Sequence, residues 1–203
     1  MEMNGLFNTI IGLIFGFIAA IYAEPLRIWL HSPILTLLFE ENSGCKIFTK
    51  EKYIAKELKE LTPNFYNAIY VRIKVTNTQT TIAKGCRAYL ISIDKSDDKG
   101  NFIPTIYNDS IQLSWSCQGD QSYEPLDLPR GVIQYIDIFS TKEGSNIYYP
   151  KIKFLPFRYE ELFRQKGSFR FTILVAGENF KPLKIKIIFN WTGNWNKFVI
   201  NSG

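Results

Sequence analysis

Cysteine and histidine side chains could serve this chain as nucleophiles, bases or metal ligands, but they are few and widely spaced. The three cysteines are Cys45, Cys86 and Cys117, and the single histidine is His31. A reactive thiol needs a neighbouring base, and a zinc site needs several ligands at short, regular spacings. The sequence shows neither pattern, so we predict no catalytic pair and no metal centre among these residues.

The odd number of cysteines and the lack of a CxxC motif favour free thiols in a reducing compartment. A disulfide between Cys86 and Cys117 is the alternative if the domain lies outside the cell. Cys117 continues an alternating strand pattern and is expected in the core. Arg87 could lower the pKa of the adjacent Cys86 thiol. Cys45, in a turn after Gly44, is expected to be the most exposed of the three.

Acidic residues cluster at two places without forming a recognisable site. Asp94, Asp97 and Asp98 give one segment the composition of a calcium loop, but its ligand spacing and terminal glutamate are missing. A solvated hairpin turn is therefore expected there. Glu160 and Glu161 would need a partner carboxylate for acid–base chemistry, and the sequence reveals none. We predict no catalytic residue, no metal and no cofactor, and do not expect an enzyme.

The overall charge limits the classes of partner that the protein is expected to bind. The 203 residues include 24 Lys and Arg against 19 Asp and Glu, a net charge of +5 without any run of basic residues. This excess is too dilute for a nucleic-acid-binding protein but suits a domain close to an anionic membrane leaflet. A hydrophobic content of 46% excludes a disordered chain. The length suffices for one domain with a sizeable core.

A nineteen-residue segment without charge, Gly5 to Ala23, lies between Glu2 and Glu24. An apolar helix needs about 20 residues to cross a bilayer core about 30 Å thick, so the segment predicts a transmembrane helix. A cleaved signal peptide is the alternative. It is disfavoured because no Lys or Arg precedes the segment and because the bulky Ile21 occupies the third position before the cleavage point that would follow Ala23.

The anchor residues have further expected roles. Gly12 and Gly16 share a helix face, which either allows two helices to pair or reflects only the tolerance of glycine in membranes. Trp29 and Arg27 suit the membrane–water interface, and the position of Arg27 places the main domain in the cytoplasm. The residues assigned to the anchor are Gly5, Gly12, Gly16, Ala23, Arg27 and Trp29. The predicted division is an anchor and juxtamembrane segment over residues 1–32 and one domain over 33–203.

Strand patterns fill the domain. Val71, Ile73 and Val75 alternate with polar residues, and the same period of two recurs along the chain. Predicted strands cover residues 34–40, 70–76, 86–94, 110–117, 131–140, 169–175 and 183–191, and short helices are predicted within 46–61 and 157–166. About seven strands with one polar face each predict an all-β fold, an immunoglobulin-like antiparallel β-sandwich, preceded by the transmembrane helix.

Residues 70–90, YVRIKVTNTQTTIAKGCRAYL, resemble the first strand pair of bacterial immunoglobulin-like modules of the CARDB type. Asn77 and Ala83 match that pattern, whereas Gln79 stands where the modules have glycine. With its amino-terminal apolar segment, its PLRIWL stretch and its aromatic last strand, the chain also resembles uncharacterised small bacterial single-pass membrane proteins. The resemblance implies a fold and an anchor, but no catalytic residues.

Two sets of side chains are candidates for a binding surface. Five basic residues on the polar sides of strands would merge into one positive face if their strands were neighbours, and would otherwise be ordinary solvated residues. These are Arg72, Lys74, Arg170, Lys184 and Lys186. Four aromatic residues in loops could form a protein-binding patch or could pack under turns. These are Tyr123, Tyr148, Tyr149 and Trp195.

The function expected from these features is a membrane-anchored module that binds a macromolecular partner, a protein rather than a nucleic acid, near the bilayer. A domain that binds lipid or a small ligand at the membrane surface is the alternative, and a hydrolase is a distant third. A homo-oligomer formed through the transmembrane helix is compatible with Gly12 and Gly16.

Overall fold

The computed structural model describes residues 12–13, 16–17, 19–23, 32–52, 65–116, 118–119 and 122–203. Two antiparallel sheets make up the domain, which confirms the predicted β-sandwich. In chain order the strands are β1 (Leu35–Leu38), β2 (Lys46–Lys52), β3 (Phe65–Asn77), β4 (Ala83–Ser96), β5 (Phe102–Pro104), β6 (Ile111–Gln112), β7 (Ser114–Trp115), β8 (Leu126–Leu128), β9 (Ile133–Lys142), β10 (Tyr148–Pro150), β11 (Gly167–Ala176), β12 (Leu183–Trp191) and β13 (Phe198–Ser202). Short 3₁₀ helices span Glu41–Ser43 and Phe157–Arg164.

The first sheet is built around β3. Strands β1 and β2 pair with successive parts of one edge of β3, and β9 pairs with its other edge. The far edge of β9 carries β7 and β10. The second sheet has the order β13, β12, β11, β4, and β5, β6 and β8 share the outer edge of β4. Every pairing between these strands is antiparallel.

Alternation along the strands places the core between the sheets. Val71, Ile73 and Val75 of β3 are fully buried, as their period of two predicts. Aromatic rings fill the centre: the Phe189 ring centroid lies 4.3 Å from that of Phe139 and 5.0 Å from that of Tyr148. Each large apolar side chain buried in this way contributes about 1.5–3 kcal/mol before the entropy cost of folding.

One short segment belongs to both sheets. Ile111–Gln112 forms β6 and pairs with β4 of the second sheet, whereas Ser114–Trp115 forms β7 and pairs with β9 of the first. The change occurs at Leu113, which is fully buried and bridges to Ile152. The single strand predicted over 110–117 is therefore two short strands that join the sheets.

Other expectations differ from the structure at the sheet edges. The helix predicted within residues 46–61 is wrong over Lys46–Lys52, which forms β2, because the edge of β3 supplies hydrogen-bond partners to an extended chain; residues 53–61 lie outside the described part. The helix predicted over 157–166 is confirmed as a 3₁₀ helix, Phe157–Arg164. Across the described residues there are thirteen strands rather than about seven, and the additional ones are mostly short edge strands.

Much of the predicted membrane anchor, including Gly5, Arg27 and Trp29, lies outside the described residues. The described residues between 12 and 23 are helical. Gly12, Gly16 and Ala23 belong to this group, and all of its described side chains are exposed. Among the residues that the structure describes, no helix is both long and apolar enough to cross a membrane.

Candidate binding surface

The five predicted basic residues do not form one surface. Arg72 and Lys74 lie on the outer face of β3 in the first sheet, whereas Arg170 lies on β11 and Lys184 and Lys186 lie on β12 in the second. The outer faces of two packed sheets point in opposite directions, so the condition under which these residues would form a single positive face is not met. Strand β3 pairs with β9 rather than with β11 or β12. The alternation of apolar and polar residues along one strand does not show which other strand it pairs with.

Both arginines are engaged within their own sheets. Arg72 Nε lies 2.9 Å from Asp137 Oδ1 on the neighbouring strand β9. Arg170 donates hydrogen bonds from Nε and Nη2 to Asp94 Oδ2 at 3.0 and 2.7 Å. These half-buried ion pairs hold the guanidinium groups against the sheets. Of the five basic residues, only Lys184 and Lys186 are exposed.

A network of tyrosines and lysines covers part of the outer face of the first sheet. Glu51 on β2 accepts hydrogen bonds from the hydroxyls of Tyr66 and Tyr70 on β3. Lys142 Nζ lies 3.8 Å from Glu51 Oε2, and Lys151 Nζ donates to the Tyr70 hydroxyl at 3.2 Å. We call these five residues the tyrosine–lysine network. Three strands and the segment after β10 must come together to form it.

The protonation states in this network follow from its partial burial. Burial by itself raises the pKa of Glu51, but the hydrogen bonds from Tyr66 and Tyr70 and the charges of the two lysines hold that pKa below its usual value. Burial lowers the pKa of Lys151, against the opposing effect of Glu51 and Asp137. Burial and the Glu51 carboxylate both raise the pKa of Tyr70, so its proton stays on the phenol and is donated to Glu51.

The four aromatic residues predicted to form a loop patch are separated. Tyr148 is fully buried in the core, so its assignment to a binding surface is wrong; it belongs to strand β10 and points between the sheets. Tyr123 is half-buried and donates its hydroxyl to a main-chain carbonyl at 2.9 Å. Trp195 packs against the core. Tyr149 lies on the outer face, with its ring centroid 5.0 Å from Lys142 Nζ.

The connection between β10 and the second 3₁₀ helix, together with the first residue of that helix, presents an apolar loop that the strand patterns do not identify. Phe154, Leu155 and Phe157 are 62%, 41% and 85% exposed. The loop is held from below, because Tyr159 is fully buried and its main-chain N–H donates to the Pro156 carbonyl at 3.0 Å. The sequence signal is the run FLPF, in which apolar residues surround a proline without any strand or helix period.

A cleft of about 280 Å³ lies beside this loop. Its lining includes Tyr149, Leu155 and Arg164. Tyr149 also contacts Lys142 of the tyrosine–lysine network, so the network, the cleft and the apolar loop form one continuous region. We call this region the β10 surface, and its defining residues are Lys142, Tyr149, Phe154, Leu155, Phe157 and Arg164.

The cysteines have no reactive setting where the structure describes them. Cys45 and Cys86 are fully buried, so the expected exposure of Cys45 is wrong. Gly44 adopts a left-handed conformation with φ 82°, which turns the next residue inward. Burial raises the pKa of Cys86 to about 12, opposite to the effect expected from Arg87. Cys117 and His31 lie outside the described residues.

The acidic segment closes a hairpin, as predicted. Asp97 Oδ1 accepts hydrogen bonds from the main-chain N–H groups of Lys99 and Asn101 at 2.9 and 2.7 Å, between β4 and β5. These are the local bonds by which aspartate stabilises turns. Within the described ranges, no three His, Cys, Asp or Glu side chains are grouped so that they could hold a metal ion.

No protein-family model matches the chain, and no curated protein matches it either. A functional assignment therefore depends on the surfaces described above.

Proposed function

We propose that this protein is a non-catalytic, membrane-anchored β-sandwich module that binds a protein partner through the β10 surface. The observation that carries this proposal is the exposure of Phe157 and Phe154 on a loop whose base is fixed by the buried Tyr159. Exposed aromatic side chains beside a cleft that an arginine also lines have the composition of protein–protein interfaces. Arg164 supplies that arginine.

The anchoring half of the proposal depends on the apolar segment from Gly5 to Ala23. Its described residues are helical, and Leu13, Phe17 and Tyr22 are exposed rather than packed on the sandwich. A helix with uncovered apolar side chains is suited to lipid. We propose a single-pass anchor with the domain on the cytoplasmic side, on the basis of Arg27, and pairing of two chains through Gly12 and Gly16 as the route to a dimer.

We also propose that the sandwich is of the immunoglobulin-like type. Strands β1, β3, β9 and β7 of the first sheet follow the order A, B, E, D of such domains. Strands β4, β11 and β12 of the second follow the order C, F, G. Domains of this type use loops on a rigid scaffold for recognition, which fits a binding role for the loop after β10.

Site-specific photocrosslinking in the full-length protein tests the proposal. A photoreactive amino acid at Phe157 should give a discrete adduct with another protein in native membranes. The same amino acid at Val199, 56% exposed on the edge strand β13, is the control and should give none. Combining the Phe157 probe with Arg164→Glu should reduce the adduct several-fold. Equal adducts at both positions, or none at Phe157, would contradict the proposal.

A further inference from the structure

The end of the sandwich at which the chain enters β1 is formed by four segments held together by main-chain and side-chain hydrogen bonds, including one from Asn179 Nδ2 to the Ile82 carbonyl at 2.9 Å. We call it the proximal end; it comprises Ile34 and the loops 78–82, 129–132 and 177–182. The Thr78 N–H donates to the Ile34 carbonyl at 2.9 Å. The buried Asn77 side chain donates to the carbonyls of Thr81 and Leu128 at 2.7 and 2.9 Å. The relative positions of these loops are therefore fixed.

Exposed aliphatic side chains project from three of these four segments. Ile34, Ile82 and Val132, one from each of these three segments, are 52%, 43% and 38% exposed. The exposed charged residues nearby are Lys84, Arg130 and Lys181, together with Asp127 and Glu178. The two acidic side chains both lie against Gly85, one through a hydrogen bond from its N–H and one by packing over it. The proximal end thus combines aliphatic tips with a small basic excess.

A cleft of about 300 Å³ opens at the same end. It is lined by Pro33, Ile34, Gln79 and Lys181, among others. Aliphatic surface with a lysine at its rim is the combination that suits the boundary between lipid headgroups and acyl chains, because the lysine stem can lie on apolar surface while its charge meets phosphate.

The length of the connecting chain limits how far this end can be from the proposed anchor. Only residues 24–31 separate Ala23 from Ser32. A fully extended residue spans about 3.3–3.6 Å, so the connection reaches at most about 30 Å. The connection contains Leu26, Ile28 and Trp29, residue types that favour the membrane interface.

From these observations we infer that the proximal end rests on the surface of an anionic lipid bilayer, with Ile34, Ile82 and Val132 in contact with the lipid. The inference depends on the proposed anchoring and goes beyond it, because a tether alone leaves the orientation of the domain free. Contact at this end fixes the orientation and turns the opposite end of the sandwich, with the β4–β5 turn, away from the membrane.

Fluorescence quenching in reconstituted full-length protein tests the inference. An environment-sensitive dye would be attached at Ile82→Cys or, as the matched control, at Asp98→Cys in the exposed β4–β5 turn. Cys117→Ser would be present in both variants, since Cys45 and Cys86 are buried. The vesicles would contain phosphatidylcholine with or without phosphatidylglycerol and a trace of lipid carrying a nitroxide quencher. Flotation of the vesicles would report anchoring separately.

We expect both variants to float and the dye at position 82 to be quenched several-fold more than the dye at position 98, most strongly with phosphatidylglycerol. Arg130→Glu combined with Lys181→Glu should remove the effect of phosphatidylglycerol without affecting flotation. Flotation with equal quenching at the two positions would overturn the inference while leaving the anchor intact. A dye at position 82 whose emission indicates an apolar environment, but which the nitroxide lipid does not quench, would show that a protein covers this end instead. Loss of flotation would overturn both proposals.

Discussion

Arg72 and Asp137 face each other across β3 and β9, with Arg72 Nε 2.9 Å from Asp137 Oδ1. A bulge next to this pair places Ile138 opposite no residue of β3, and the alternation after the buried Ile136 places the Asp137 carboxylate on the outer face. The Ser116 hydroxyl also donates to this carboxylate. Burial nevertheless raises the pKa of Asp137 above its usual value, so the arginine compensates only part of the cost of removing the charge from water.

Replacing Arg72 by methionine should therefore destabilise the domain by about 3 kcal/mol near neutral pH, because it leaves a buried carboxylate without its cation. When the pKa of an acidic group is raised in the folded state, the free energy of unfolding falls as the pH rises from the ordinary pKa through the raised one. The deficit should thus shrink toward acidic pH. Denaturant unfolding at several pH values measures this difference in the free energy of unfolding. Lys74→Met, on the same face of β3, is the control and should cost under about 0.5 kcal/mol; equal losses would contradict this account.

Tyr70→Phe should cost about 1–2 kcal/mol near neutral pH, because Glu51 loses a donor and Lys151 loses its acceptor. Since the pKa of Glu51 lies below its ordinary value of 4.5, its stabilisation is present above that value and is lost as the pH falls through the folded pKa. The destabilisation caused by the substitution should therefore shrink in strong acid, where only the loss of the Lys151 hydrogen bond remains. Unfolding midpoints across the acidic range measure this. Tyr89→Phe in the other sheet should change little at any pH.

Asn77→Ala should destabilise the domain by about 2–4 kcal/mol, because it removes two side-chain hydrogen bonds to carbonyls at a fully buried position. The Gln79 N–H, which donates to Asn77 Oδ1 at 3.1 Å, also loses its acceptor. Thermal unfolding monitored by circular dichroism gives the change. Asn190→Ala, at an exposed position of β12, should alter the midpoint far less. Comparable shifts in the two variants would show that the hydrogen bonds of Asn77 contribute little.

A Cys117→Ser variant should react very slowly with a thiol reagent near neutral pH and rapidly once denaturant is added. Both remaining thiols are fully buried, and the raised pKa of Cys86 keeps it protonated. Counting modified thiols against time provides the measurement. Fast native labelling of either cysteine would contradict the buried positions. Cys45 is accordingly unsuited to surface labelling, for which Asp98→Cys in the exposed β4–β5 turn is the better position.

The sequence predicts the central strands well because their faces are set locally. Val71, Ile73 and Val75 alternate with polar neighbours, and burial of one face follows directly. Strands β5 and β10 have three residues each, too few to show a period, and only pairing with β4 and β9 defines them. Tyr148 was misplaced for this reason: beside Pro150 it has the pattern of a loop residue, but pairing with β9 turns it into the core.

The sequence predicts the candidate site less well than the fold because the site depends on contacts that form only when strands pair. Glu51 meets Tyr70, and Lys142 meets Tyr149, only after β2, β3, β9 and β10 have paired. The exposure of Phe154 and Phe157 depends equally on the burial of Tyr159 beneath them. Composition alone identifies an apolar loop there, but does not say which of its side chains face solvent.

The change of sheet at Leu113 has a consequence for how the domain opens. Residues 111–115 pair with β4 of the second sheet and with β9 of the first. The two sheets therefore cannot separate from each other unless the hydrogen bonds of this segment break. Amide hydrogens in the centres of β4 and β9 should therefore exchange with solvent through the same global unfolding event. A pulling force applied at the proximal end would be shared between the two sheets rather than peeling one from the other.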